Sequence, residues 1–111
     1  MTLANRTCVP SPRGARPLTS AQIAPLRKQV PRWKLIAHKR LQRDFKFKDF
    51  KGALAFVNAI GKEAEAQQHH PDLELSWGRV GATLFTHTVR GLSEADFIMA
   101  ARIDRAHKRL A

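Results

Sequence analysis

The stretch QQHHPDLELSW, residues 67–77, sets His69 and His70 side by side where a helix-like periodicity stops, and Pro71 fixes the start of a strand-like alternation. A third histidine, His87, closes the next apolar run. Imidazole changes protonation near neutral pH, so converging histidines can divide the work of giving and taking a proton. Two other readings fit the same residues. Polar side chains at a helix end can cap carbonyls and face water. Alternatively, Glu65 and His69, four apart on one helical face, could hold a metal ion with His87 as a third ligand. Cys8 is the single cysteine, so neither a thiolate zinc cluster nor a disulfide framework is available. Sequence alone leaves open whether the histidines converge.

Whatever the histidines do, the elements on either side must position them. In KDFKGALAFVNAIGKEAEAQQ, Phe50, Leu54, Val57, Gly61 and Ala64 recur at three- and four-residue steps, and Ala53, Phe56 and Ile60 widen the stripe. That spacing predicts a long amphipathic helix ending just before His69. LELSW and RVGATLFTH alternate about Gly78, which predicts an antiparallel hairpin with Leu73, Leu75 and Trp77 on one face and Glu74 and Ser76 on the other. Upstream, LTSAQIAPLRKQV opens as a helix, with Thr19 as N-cap, Gln22 as its capping-box partner and Leu18 with Ile23 as a hydrophobic staple. Pro25 lies beyond the first turn and should keep that helix short or bent. WKLIAH and LQRDFKF read as two strands joined by a polar KR turn. GLSEADFIMAARIDRAHKRL closes the chain as a helix, with Ser93 as N-cap, Asp96 at the third helical position and Leu92 with Phe97 as a second staple. The order helix, strand, strand, helix, strand, strand, helix predicts an α+β fold, an antiparallel sheet of about four strands with helices packed on one face. Residues 18–111 are expected to form a single domain. Residues 1–17 carry Pro10, Pro12 and Pro17 with Arg6, Arg13 and Arg16 and little apolar content, and are expected to be a disordered, mobile tail.

At 111 residues the chain has room for one modest core. Its net charge of +11 is one-sided: residues 1–51 hold thirteen Lys/Arg and two Asp (13 − 2 = +11), whereas residues 52–111 hold seven of each sign (7 − 7 = 0). A basic stripe including Lys39, Arg40 and Arg43 is therefore expected, able to attract an acidic protein or nucleic acid phosphates. No apolar run approaches the length of a membrane span or a signal peptide, so the expectation is a soluble, cytoplasmic protein with no membrane partner.

The run E65-x3-H69-H70-P71-x5-W77-x9-H87-x8-D96 resembles the signature of the pterin-4a-carbinolamine dehydratases. The likeness spans about residues 18 to 106 and takes in Trp33, FKFKDF, HHPDLELSWGRV and THTVRGLSEADF. It implies dehydration of a 4a-hydroxytetrahydropterin to the quinonoid dihydropterin, with the pterin as substrate and neither a cofactor nor a metal. By the same resemblance His69 and His87 would be the acid/base pair and His70 would position the pterin and assist. Glu65 would orient an imidazole, Pro71 and Thr86 would shape the pocket, and Trp33 would wall it. Asp96 would lie on the substrate side, or serve as the capping partner of Ser93. Trp77 reads more simply as core. The resemblance also implies a homo-oligomer, dimer or tetramer.

Three features depart from the family pattern: Ala95 stands where some relatives carry an arginine, Pro25 interrupts the first helix, and the charge is high for a small metabolic dehydratase. The charge keeps a second class of function in view. A dehydratase-like chain could act as a binding or assembly protein, such as a transcriptional cofactor or a Rubisco assembly factor of carboxysomes. The complete set His69, His70 and His87 favours the enzyme.

Overall fold

Capping side chains set the helix starts. The Thr19 hydroxyl accepts from the Gln22 N–H while Gln22 Oε1 accepts from the Thr19 N–H, and this reciprocal box opens α1, Ser20–Arg27. Pro25 lacks the N–H that would continue the ladder, and α1 ends two residues later. Asp49 Oδ1 accepts from the Gly52 N–H to open α2, Phe50–Gln67. Ser93 precedes α3, Glu94–Leu110, which carries Glu94 and Asp96 in its first turn and His107, Lys108 and Arg109 in its last, as the helix dipole favours. The computed structural model describes residues 2–110; residues 1 and 111, the outer ends of the expected tail and domain, lie outside the described residues.

The strands β1 (Lys34–Ile36), β2 (Arg40–Lys46), β3 (Asp72–Ser76) and β4 (Arg79–Leu84) form one antiparallel sheet in the order β1-β2-β4-β3. Leu41, Phe45, Val80, Ala82 and Leu84 on one side of it meet Ala53, Phe56 and Ile60 of α2 and Phe97, Ala100 and Ile103 of α3 in a single core. The fold is thus α+β with the helices packed on the sheet. Register matters because side chains alternate: Leu41 opposes Leu84 and Phe45 opposes Val80, and a slip of β2 by one residue would turn Leu41 and Phe45 to the open face. Gly78 stands in the β3–β4 turn because a Cβ there would sit 2.8 Å from the Phe47 carbonyl oxygen. No helix among the described residues is long and apolar enough to cross a membrane.

Several local expectations are corrected. The buried stripe of α2 is Ala53, Phe56, Ile60 and Ala64, whereas Phe50 and Leu54 are 44% and 40% exposed, so the core-facing line lies one position round from the periodic one. Trp77 is 68% exposed at the hairpin rather than core. The β1–β2 turn is Ala37–Lys39, earlier than the KR pair, with Ala37 and His38 in the left-handed region at φ +51° and +57°. Neither residue type advertises that conformation. Arg43, expected on a basic surface, points into the helix-facing side. There it pairs with Asp104 at 2.6 Å and its guanidinium lies over the Phe45 ring.

The N-terminal segment also departs from the expected mobile tail, since the structure lays it along the domain. Leu3, in a short 3₁₀ turn Leu3–Asn5, is 1% exposed and joins the core. Backbone groups that composition gives no partner find side-chain ones: the Leu3 N–H donates to Gln29 Oε1 at 3.1 Å, Arg102 donates twice to the Arg6 carbonyl, and the Cys8 N–H donates to Gln67 Oε1 at 2.7 Å. One apolar anchor and three distant polar side chains do what the segment's own composition cannot. Burial against α3 pushes the Cys8 thiol up from 9.0 to about 11. A thiol shifted by two units carries about a hundredfold less thiolate at pH 8. Cys8 in the folded protein is therefore expected to react with a thiol reagent about a hundredfold more slowly than in denaturant; equal rates would show that the segment does not dock.

Candidate active site

The end of α2 is built to turn the histidines away from the helix axis. Gln68 adopts a left-handed conformation at φ 52°, and the Gln68 and His69 N–H groups both donate back to the Ala64 carbonyl. Glycine normally fills such a position. Gln68 holds it while its own amide donates to the Glu65 carbonyl at 2.7 Å. The chain then leaves at an angle, and Pro71 commits it to β3.

His69 turns inward. Its Nε2 lies 2.6 Å from Asp96 Oδ1, and Asp96 is fully buried in the first turn of α3. The other carboxylate oxygen accepts from the Thr86 hydroxyl at 2.7 Å and from the Ser93 N–H at 3.0 Å, and Ser93 Oγ sits 2.8 Å from Thr86 Oγ1. A carboxylate only accepts, so with Asp96 ionised the His69 proton resides on Nε2 and Nδ1 is left free to accept. His70 lies closer to solvent, with Nε2 hydrogen-bonded to Glu65 Oε2. Glu65 thus pairs with His70 and not with its helical neighbour His69, and the residues of the alternative metal set, Glu65, His69 and His87, are drawn to different partners. Among the described residues no three His, Cys, Asp or Glu side chains group in a way that could hold a metal ion.

His87 begins a 3₁₀ turn, His87–Val89, just beyond β4. Its ring packs edge-on against Phe85 with centroids 4.4 Å apart. Thr86 and Gly91 bridge the base of this loop in both directions, and Arg90 turns it with a left-handed φ of 54°. His69, His70, Thr86 and His87 line one cleft of about 260 Å³. Phe85 and Ser93 complete the inner wall, and Cys8–Ser11 of the N-terminal segment form an outer one.

The other expected site residues fall as follows. Asp96 lies behind His69 and accepts from the Ser93 N–H. Ala95 lines the cleft, and its carbonyl accepts from the Cys8 thiol. Pro71 is half-buried outside the cleft lining. Trp33 is not brought to the histidines. It is fully buried in the core, edge-on to Phe45, and donates to Asp104 Oδ1 at 2.8 Å. The N-terminal wall and the left-handed Gln68 had no signal in residue type. Ser93 and Phe85 were visible only as a cap and a strand residue.

Residues 16–106 match the family model described as pterin 4 alpha carbinolamine dehydratase. The chain belongs to this family. It is 49% identical over 104 residues to a curated relative from Alkaliphilus metalliredigens, covering 93% of this chain and 94% of that protein. A second relative, from Rubrobacter xylanophilus, is 45% identical over 103 residues, covering 93% and 96%. Both are provisionally named pterin-4-alpha-carbinolamine dehydratases. Among solved structures, a transcriptional coactivator/pterin dehydratase from Brucella melitensis superposes with a TM-score of 0.77 at 30% identity, over 82% of this chain and 98% of that one. A pterin dehydratase-like protein identified as a RuBisCO assembly factor in the alpha-carboxysome gives 0.58 at 26% identity, over 67% and 87%.

In this dehydratase-family chain the Asp96 carboxylate depends on donors from three other positions, His69, Thr86 and Ser93. Replacing Thr86 by Val removes one of them at a buried acceptor and is expected to cost about 1–3 kcal/mol in denaturant unfolding. An unchanged midpoint would show that the Thr86–Asp96 bond does not hold the site.

Proposed function

We propose that the chain dehydrates 4a-hydroxytetrahydropterin to the quinonoid dihydropterin, with the pterin as substrate and no cofactor or metal taking part. One observation carries this reading: an imidazole backed by a buried carboxylate shares a cleft with two further histidines. The family membership supports it. The cleft is small, close to the lower end of small-ligand sites at about 300 Å³, and suits a single flat heterocycle.

The reaction needs a proton delivered to the 4a hydroxyl, cleavage of the C4a–O bond with loss of water, and removal of the N5 proton. His69 Nδ1 takes the N5 proton, and the Asp96 carboxylate at Nε2 offsets the positive charge the ring then carries. His87 delivers the proton to the departing hydroxyl. His70, tied to Glu65, hydrogen-bonds the pterin and holds it against the pair. Protein turnover returns one proton from His69 to His87 through solvent, so the cycle needs no other reactant. We place this chemistry in the cytoplasm, on a homo-oligomer.

The likeness to a RuBisCO assembly factor, together with the +11 charge, supports a second role in which the basic half docks on an acidic partner. Lys39 and Arg40, both exposed, are the cations of the strand turn available for it, because Arg43 is committed to Asp104. The two roles use separate surfaces and are compatible.

Purified protein is expected to speed dehydration of 4a-hydroxytetrahydropterin, with His69→Ala and His87→Ala each losing about 10²-fold or more, the usual share of one acid/base group. His70→Ala should lose less. Wild-type protein no faster than buffer would refute the reading.

A further inference from the structure

A second cleft lies away from the histidines, between the N-terminal turn, the loop joining α1 to β1, and the C-terminal half of α3. Its volume is about 790 Å³, within the range of small-ligand sites. Its charged lining is Arg32, Arg43, Arg105 and Lys108 against Asp104 alone, so with His107 neutral the sum is 4 − 1 = +3. We propose that this cleft binds a small organic phosphate, a phosphate group carried on a flat or apolar body such as a nucleoside.

The partners of each charge decide which cations are available. Arg43 and the Trp33 indole N–H both bond Asp104 Oδ1, at 2.6 and 2.8 Å, so the one carboxylate in the lining is already engaged. Arg105 donates to Asn5 Oδ1 and stands 3.9 Å from Glu63, and its buried Nε has no partner among the described residues. Arg32 and Lys108 are exposed and take part in no ion pair among the described residues. Arg32 and Lys108, unpaired, therefore line with Arg105 a concave surface whose remaining lining includes Ala4, Pro31 and Ala101. A phosphate suits the first set and an apolar body the second. Concavity and the apolar lining favour a small ligand over a nucleic acid, which would follow an extended basic stripe.

His107 reports on the cleft. It faces Arg32, Arg43 and Asp104 on the charged side and packs against Phe45, Phe47 and Phe56 on the other. Its imidazole titrates below the ordinary value, first because it is buried and then because Arg43 and Arg32 repel its charged form. A phosphate near those arginines cancels part of that repulsion, so binding should move the His107 titration upward.

The test follows the His107 ring resonances of the full chain by NMR on addition of adenosine 5′-monophosphate, inorganic phosphate or adenosine, each at about 1 mM, the weak end of small-ligand affinity. The expected result is an upward shift of the His107 titration with the monophosphate, a smaller one with phosphate and none with adenosine. Arg32→Glu combined with Lys108→Glu should weaken monophosphate binding by about tenfold or more, as reversal of contacting charges does. Because both side chains are exposed, that variant should unfold at the wild-type temperature and keep the pterin reaction of the histidine cleft. No response to the monophosphate, an equal response to adenosine, phosphate matching the monophosphate, or undiminished binding in the double variant would each overturn the proposal. Loss of binding accompanied by unfolding would be resolved by Arg32→Gln alone, which must still weaken binding for the proposal to stand.

Discussion

The Asp96 carboxylate is fully buried at the start of α3, and a charge in that position is tolerable only if its oxygens are taken up by donors. They are supplied by three separate parts of the chain: the imidazole that follows α2, the Thr86 hydroxyl beyond β4, and the backbone of the Ser93 cap. The same bonds that satisfy the charge bring the ends of α2, β4 and α3 to one point. His69 is consequently oriented by the needs of a buried carboxylate, and the cleft opens where those three ends meet. Structure and chemistry here share one set of atoms, so loss of a donor should be felt in both stability and site geometry.

A second carboxylate, Asp104, works at the far end of the same helix. It accepts from Trp33 and Arg43, and its burial raises its pKa while those partners pull it down. This pair removes Trp33 and Arg43 from the roles their residue types suggest. The indole becomes a strut of the core, and the guanidinium becomes an internal counter-charge stacked on Phe45. The two ends of α3 therefore each carry a concave surface organised round one acidic residue, the histidine cleft at Asp96 and the basic cleft at Asp104.

Much of this was visible in the residues themselves. The capping box at Thr19 is local in sequence, as is the length of α2, and local signals read directly. The three histidines were visible as a group through a spaced resemblance. What could not be read depended on distant or uncharacteristic choices. The left-handed Gln68, Ala37 and His38 occupy a conformation that glycine or asparagine normally announces. Leu3 looks like a stray apolar residue in a polar leader until α3 covers it. The periodic line through Phe50 and Leu54 misplaced the α2 core because the neighbouring row, Ala53, Phe56, Ile60 and Ala64, is apolar as well, and only the facing sheet decides which row is buried. Arg43 shows the same limit for charge: counting places it on a basic surface, whereas an aspartate 61 residues away draws it inside.

Asp96 fixes His69 with its proton on Nε2 and leaves Nδ1 open to the cleft. Imidazole ¹⁵N chemical shifts of selectively labelled protein at neutral or slightly alkaline pH test it directly. A His69 Nε2 resonance of the protonated type and an Nδ1 resonance of the unprotonated type are expected, with the distinction lost in Asp96→Asn. A His69 ring carrying its proton on Nδ1, or exchanging freely between tautomers in the wild-type protein, would contradict it.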